Sequence, residues 1–204
     1  MTVTTAGGTA TARRPRSWLT LPHDLPQRLR QRSTDDPASL VRPRRPRDVG
    51  ASARLLGVVY CADHSPDRLP GSAHAWLVRD VLDAWVAERH GQVLGHVATV
   101  RVGTDTLSAS RWREITGLTP QDLLGVGRFF VRRAERGKGI GTALLAAAAA
   151  DVRARGLVPV LETVTESRTA IPTLRDAGWQ LLAVDDRDVR ADRWRVHRYV
   201  GPRS

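Results

Sequence analysis

Apolar and polar residues follow periods of 2 and 3.6 along most of the chain, but this pattern begins only after a long polar start. Residues 1–38 show neither period and predict a flexible Arg- and Pro-rich extension. The remaining residues, 39–204, predict one α/β domain. Its predicted strands are 40–44, 85–88, 93–102, 123–131, 157–165, 179–184 and 194–200. Its predicted helices are 49–62, 73–81, 139–155 and 168–177, with an ambiguous helical insertion at 108–117 and a polar hairpin at 185–193.

A glycine-rich loop lies between the predicted strand at 123–131 and the helix at 139–155. It reads Arg136-Gly137-Lys138-Gly139-Ile140-Gly141-Thr142. Successive backbone N–H groups that no side chain blocks, at the positive end of a helix, are suited to binding a pyrophosphate. Arg136 and Lys138 add positive charge. The loop therefore predicts an anion-binding site.

Two common phosphate-binding motifs fit this loop poorly. A Walker A loop has Ser or Thr directly after its lysine, whereas Gly139 follows Lys138. A dinucleotide-binding Rossmann domain would use Gly137 and Gly139, with Glu162 as the ribose ligand. However, five residues separate the strand from Gly137, and only about 60 residues follow the loop, too few for the further strand–helix units. Both readings are disfavoured.

Two sequence blocks and the order of the elements carry a resemblance to a known family. The signature Arg/Gln-x-x-Gly-x-Gly/Ala is matched by Arg136, Gly139 and Gly141. The block Asn-x-x-Ala-x-x-Leu-Tyr-x-x-x-Gly-Phe/Trp is echoed by Ser167, Ala170, Thr173, Leu174 and Gly178-Trp179. With these motifs, the chain from Leu40 onward resembles the GNAT superfamily of acyl-CoA-dependent N-acyltransferases.

The resemblance implies a fold and a co-substrate. The fold would have a mixed, mostly antiparallel sheet of about six to seven strands flanked by about four helices, with the central strands that carry Val131 and Val160 splayed apart. Acetyl-CoA would be the co-substrate, and no metal is implied. The resemblance implies the cofactor-binding residues Phe129, Phe130, Val131, Arg136, Gly137, Lys138, Gly139, Ile140, Gly141, Thr142 and Ser167.

The implied reaction is direct attack on the acetyl group by a primary amine of a small molecule or protein, in a ternary complex. Glu162 is the first candidate base, because similar ribosomal-protein alanine acetyltransferases carry a glutamate five residues before the position of Ser167. Glu166 is the second. The family's frequent proton-donating Tyr is replaced by Leu174. A catalytically weak acyl-CoA-binding or regulatory protein is therefore the alternative.

The sequence also predicts roles for four other residues. Asp63 and Trp76 fall where the family's first two helices wall the acceptor site, so the resemblance suggests that they contact the acceptor. His96 is expected to be structural. Cys61, on an apolar helix, is expected to be a packed core thiol. A single cysteine excludes an intramolecular disulfide, and the scattered His residues show no metal-ligand spacing.

The net charge of +11 suggests a polyanionic partner, but its distribution weakens that inference. Residues 1–48 carry +6 of it, and 31 of the 32 basic residues are Arg, a bias typical of GC-rich, bacterial-like composition. We therefore expect the phosphates of a cofactor to be the anionic partner and expect no nucleic-acid partner. The lack of an apolar span or signal pattern predicts no membrane association and a cytoplasmic protein. Dimers are common in the family, so a homodimer is one expected state.

Overall fold

The computed structural model describes residues 40–63, 71–103, 106–164, 170–189 and 192–203. The predicted extension at 1–38 lies outside them, as do Glu166 and Ser167. The strands are β1 (Leu40–Pro43), β2 (Val81–Arg89), β3 (Gln92–Arg101), β4 (Leu123–Val131), β5 (Val158–Val164), β6 (Gln180–Val189) and β7 (Asp192–Val200). The helices are α1 (Asp48–Asp63), α2 (Ala73–Val78), α3 (Thr106–Thr116), α4 (Ile140–Ala154) and α5 (Ala170–Asp176).

The seven strands within the described residues form one sheet in the order β1-β2-β3-β4-β5-β7-β6. Neighbouring strands are antiparallel except β4 and β5, which run parallel. The β4–β5 pairing runs from Leu123↔Val158 to Gly125↔Val160, and both strands continue beyond it. The mixed sheet and its splayed central strands are therefore as predicted.

Helices cover both faces of the sheet, because adjacent strand residues alternate between two hydrophobic clusters. In β4, Val131 packs in the cluster with α4 and α5, whereas its neighbour Phe130 packs in the cluster with α1 and α2. Trp112 of α3 packs against Leu123 and Val160. Since Leu124 belongs to the α4 cluster, α3 lies on the same face as α1 and α2.

Helix α4 lies close to the sheet because glycine occurs at its contact points. A Cβ at Gly95 of β3 would lie 2.8 Å from Leu144 Cδ1, and one at Gly141 would lie 2.9 Å from Thr173 Cγ2. Larger side chains there would separate α4 from β3 and from α5. The buried residues of α4 recur every three to four positions: Ile140, Leu144, Leu145, Ala148, Ala149 and Val152.

Four predictions need correction. Strand β2 begins at Val81, not at residue 85, and α2 ends at Val78. The hairpin predicted at 185–193 is mostly strand, because β6 is an edge strand of the sheet and polar residues are tolerated there. Cys61 is exposed rather than packed in the core. The buried stripe of α1 includes Leu55, Leu56 and Val59, and position 61 falls outside it.

Candidate active site

The splayed ends of β4 and β5 leave a wedge-shaped opening, bordered by residues 126–131 of β4 and 161–164 of β5. The Arg132 N–H donates to the Leu94 carbonyl across the β3 edge at 2.8 Å. Since successive N–H groups of a strand point in opposite directions, the Val131 N–H points toward the opening. Backbone polar groups of the predicted segment Phe129–Val131 therefore face a gap that β5 does not close.

The glycine loop lies at the wide end of this opening. A short 3₁₀ turn, Arg133–Glu135, follows β4, and α4 begins at Ile140. Gly137 and Gly139 have φ values of +75° and +81°, and a Cβ at either position would meet no atom within 4 Å. The first N–H groups of a helix have no intrahelical acceptor. The loop thus presents a positively polarised backbone surface that no side chain covers.

Two basic side chains predicted at the loop take different positions. The Arg136 Nε donates to the Val131 carbonyl at 3.1 Å, which ties the loop to the end of β4. The Lys138 Nζ lies 3.1 Å from Glu135 Oε2, and its side chain is 51% exposed. Glu135 also bonds Arg89 at 3.2 Å. The loop keeps an excess of positive charge, because the three positive charges of Arg136, Lys138 and Arg89 exceed the single negative charge of Glu135.

Glu162 lies on β5, two residues beyond the last β4–β5 pair. It shares a sheet face with Val160, the face that α3 covers. Its Oε1 accepts a hydrogen bond from Arg198 Nε at 3.0 Å, and its side chain is 28% exposed. Glu162 is therefore paired and still partly open to solvent.

The Glu162–Arg198 pair continues as a line of alternating charges. Arg198 is 5% exposed and also bonds Asp185. Asp185 accepts two hydrogen bonds from Arg111 of α3, at 2.7 and 3.1 Å. A buried cation with two carboxylate partners is held in one position, and this fixes the position of the Glu162 carboxylate.

A β-bulge in β4 determines which of its side chains face α4. His96 pairs with Phe130 and Ala98 with Gly127, so β4 contains one extra residue. Arg128 occupies the bulge with a φ of +53°. The insertion reverses the alternation, so Val126 and Val131 both pack in the α4 cluster. The Arg128 guanidinium lies 4.3 Å from the ring centroid of Trp76 in α2.

His96 supports this bulge from the core. Its ring is fully buried, and Nδ1 donates to the Arg128 carbonyl at 2.8 Å. Arg44 donates to Nε2 at 3.1 Å. Burial, together with the charges of Arg44 and Arg128, lowers the pKa of His96 to about 4. The structural role predicted for His96 agrees with these contacts.

The buried His96 makes stability depend on pH in the mildly acidic range. The unfolded chain binds a proton at His96 near pH 6.5, whereas the folded chain binds it only near pH 4. The unfolded state therefore holds more protons between these values, and the free energy of unfolding falls as the pH is lowered from about 6.5 to about 4. The full shift corresponds to about 3 kcal/mol.

Urea unfolding of the wild type and of His96→Asn, between about pH 7 and pH 5, measures this effect. The side-chain amide of the variant keeps a donor for the Arg128 carbonyl. The variant is expected to lose less stability than the wild type over this pH range. If the free energy of unfolding falls equally in both proteins, the pH dependence does not come from His96.

Comparison with known proteins identifies the family. A model described as "Acetyltransferase (GNAT) family" matches residues 55–179. The chain belongs to the GNAT acetyltransferase family. The match includes the glycine loop, β4, β5 and α5, so the predicted GNAT resemblance and acyltransferase class are confirmed.

Solved structures share the GNAT fold of this chain at low sequence identity. They include yncA from Salmonella typhimurium with its cofactor acetyl-CoA, at 17% identity and a TM-score of 0.62, covering 82% of this chain and 95% of yncA. Ribosomal-protein-alanine N-acetyltransferase from Brucella melitensis matches at 18% identity and a TM-score of 0.60, covering 79% and 98%. Arabidopsis thaliana NAA60 in complex with acetyl-CoA matches at 16% and 0.60, covering 79% and 97%. No curated protein sequence gave a significant match.

The GNAT fold brings together some predicted site residues and leaves others unplaced. Phe129 and Gly141 are in close proximity, since a Cβ on Gly141 would lie 3.2 Å from Phe129 Cζ. Trp76 is half-buried beside β4. Asp63 ends α1, but its side chain, like Glu166 and Ser167, lies outside the described residues. Leu174 is fully buried.

Sequence reasoning missed Arg128 and Arg198. Neither belongs to a GNAT motif used for the resemblance, and the chain is rich in Arg, so residue type alone did not distinguish them. The only available signal was the apolar context of Arg128, between Gly127 and Phe129. Their contacts depend on strand register, which that signal does not specify.

Two further kinds of feature are absent from the described residues. No group of three or more His, Cys, Asp or Glu side chains there could hold a metal ion. None of the helices in that part of the chain has the length and apolar character needed to cross a membrane.

Proposed function

We propose that this GNAT protein transfers an acetyl group from acetyl-CoA to a primary amine, by direct attack in a ternary complex. The observation that carries the proposal is the position of the α4 N-terminus, with Gly137 and Gly139, at the wide end of the opening between β4 and β5. A pyrophosphate at the loop and an extended thiol arm along β4 would occupy adjoining parts of one continuous site.

The residues present suit acetyl-CoA. Gly137 and Gly139 leave open space where other residues would carry Cβ atoms, and the loop has a positive excess. Loop amides from Gly137 to Thr142 would bind the pyrophosphate. The edge of β4 at Phe129–Val131 that β5 leaves unpaired would bind the pantetheine amides, through groups other than the Val131 carbonyl, which already accepts from Arg136. Acetyl-CoA supplies an activated acyl thioester. Two GNAT-fold structures, yncA and NAA60, contain acetyl-CoA.

Glu162 is the proposed general base. A C–N bond forms between the acceptor amine and the acetyl carbonyl carbon, the C–S bond breaks, and the amine proton passes to the Glu162 carboxylate. The Val131 N–H, directed into the opening, would stabilise the carbonyl oxygen as it gains negative charge. Arg198 holds Glu162 on the face where α1, α2 and α3 lie, so the acceptor would approach from that side.

The second candidate function is an acyl-CoA-binding or regulatory protein with weak catalysis. Leu174 favours it, because this position carries the proton-donating Tyr in many family members, by the resemblance, and Leu174 is apolar and fully buried. Tyr199 does not replace it, since its side chain is buried in the α4 cluster and burial raises the pKa of its phenol. In a transferase built this way, the departing CoA thiolate would receive its proton from solvent or from another group.

Thiol release separates the two functions. The protein is incubated with acetyl-CoA and a panel of primary amines that includes amino acids, polyamines, aminoglycosides and short peptides. A transferase releases free CoA at a rate that rises with the concentration of at least one amine. Saturable acetyl-CoA binding without amine-dependent release would favour the second function, and absence of binding would contradict both.

A further inference from the structure

A poorly compensated cation lies beside the opening, on the face that the proposed acceptor would approach. The Arg128 guanidinium is half-buried, and its Nε is fully buried with no hydrogen-bond partner among the described residues. Burial lowers the pKa of Arg128, and the charge of Asp80 only partly opposes that effect. A desolvated cation of this kind is stabilised by an anion that reaches its free N–H groups.

The contact with Trp76 leaves those groups available. The Arg128 Cζ lies over the Trp76 ring, 4.3 Å from its centroid, a cation–π contact that uses none of the guanidinium N–H groups as hydrogen-bond donors. Guanidinium N–H groups lie in the plane of the cation, where they can bind a carboxylate through two oxygens. Trp76 thus orients Arg128 without consuming its donors.

The neighbouring charges do not neutralise this region. Arg44 is half-buried nearby, bonded to the Leu77 carbonyl at 2.6 Å and to His96. Its pKa is also lowered by burial. His96 is neutral above about pH 4. The charge of Asp48 acts on Arg44, but Asp48 is itself ion-paired with Arg42 at 2.7 Å, and Asp80 is the acidic residue that acts on Arg128. Arg128 therefore keeps only partial charge compensation where α2 meets β4.

Arg128 also lies across the opening from the candidate base. Continuing the parallel register beyond Gly125↔Val160 brings Gly127 level with Glu162, and Arg128 is the next residue. Both side chains are on the face that α1, α2 and α3 cover. Neighbouring strands are about 5 Å apart where they pair, and more where they diverge. One small molecule would thus place its carboxylate at Arg128 and its amino group at Glu162.

We propose that Arg128, oriented by Trp76, binds the carboxylate of the acceptor, and that the acceptor is a small amino-acid-type amine whose carboxylate lies a few bonds from its amino group. This rests on the proposed acetyl transfer and narrows its acceptor class. The strained backbone at Arg128 is consistent with such a role, since residues held at positive φ are concentrated at functional sites.

Matched pairs of acceptors test this inference. Alanine, leucine and glutamine are each compared with the corresponding amino-acid amide, by amine-dependent release of CoA. The amino group of the amide is less basic than that of the acid, so a larger fraction of it is uncharged near neutral pH. Reactivity alone therefore favours the amide. The wild type is expected to prefer the acid in kcat/KM, and Arg128→Gln to lose roughly 10- to 100-fold on the acid with little change on the amide. Equal rates on acid and amide, or a preference retained in Arg128→Gln, would overturn the inference.

Two further variants and a binding measurement keep the result interpretable. Arg128→Gly removes the cation at a backbone conformation that suits glycine, so loss of the acid preference there does not reflect backbone strain. Arg101→Gln removes an exposed arginine from β3 and should keep the preference for the acid.

If no amine gives turnover, acetyl transfer itself has failed. Thermal stabilisation of the CoA-bound protein then decides: the acids should stabilise wild type but not Arg128→Gln, and no difference would overturn the inference.

Discussion

Substitution of Gly139 by aspartate is expected to weaken acetyl-CoA binding by roughly 100-fold or more, because it places a negative charge against the pyrophosphate. Two unit charges about 4 Å apart interact by about 4 kcal/mol near a protein surface, which exceeds what this loss requires. Gly139 has a φ of +81° and open space at its Cβ position. Aspartate tolerates positive φ better than most residues. The fold should therefore persist, and calorimetric titration with acetyl-CoA measures the effect.

Two control variants separate charge from backbone strain. Gly139→Asn has nearly the same shape without the charge, so it should bind acetyl-CoA more tightly than Gly139→Asp. Gly117→Asp places the same residue at a φ of +72°, in open space just beyond α3. It should keep wild-type affinity. Equal losses in Gly139→Asp and Gly139→Asn would mean that the loop does not contact a phosphate.

Glu162→Gln is expected to lower kcat for acetyl transfer by roughly 100-fold or more while the affinity for acetyl-CoA changes little. General base catalysis usually contributes 10²- to 10⁴-fold, and glutamine keeps the size of the side chain without the ability to accept a proton. Steady-state kinetics on the best amine of the panel, with titration of acetyl-CoA, measures both quantities. An unchanged kcat would remove Glu162 from the mechanism.

Asp185→Asn provides a matched control for the ion pair. Asp185 and Glu162 both bond the buried Arg198, so each substitution removes one charged partner of the same cation. Both should lower the midpoint of thermal unfolding. Only Glu162→Gln should abolish most of the turnover, because the amide oxygen left by Asp185→Asn can still accept a hydrogen bond from Arg198 and so keep Glu162 in position. If both variants lose stability and keep activity, Glu162 is a structural partner of Arg198 only.

The position of the glycine loop between a strand and a helix could be predicted because its information is local. Gly137, Gly139 and Gly141 lie within five consecutive residues between a strand and a helix, and backbone requirements for glycine are visible at that range. The structure gives each a physical reason: positive φ at the first two, and close approach to Thr173 and Phe129 at the third. The order of the elements supplied the sheet and its splayed strands through the GNAT resemblance.

The contacts of Arg128 and Glu162 could not be predicted, because their geometry arises between strands. The positive φ of Arg128 follows from a bulge in the pairing of β3 with β4, and arginine is not typical of that backbone conformation. The partner of Glu162 is determined by the β5–β7 register. The exposure of Cys61 depends on the face of α1 that packs on the sheet. Each is a long-range property.

The most direct test of the central claim follows the acetyl group itself. Acetyl-CoA labelled in the acetyl group is mixed with excess enzyme and the best amine, and amine, protein and CoA are analysed by mass spectrometry after a single turnover. Direct transfer predicts label in the amine in proportion to the free CoA formed, no label on the protein, and no CoA release without amine. Acetyl-CoA that remains bound and intact beside every amine, or label that accumulates on the protein, would contradict the account.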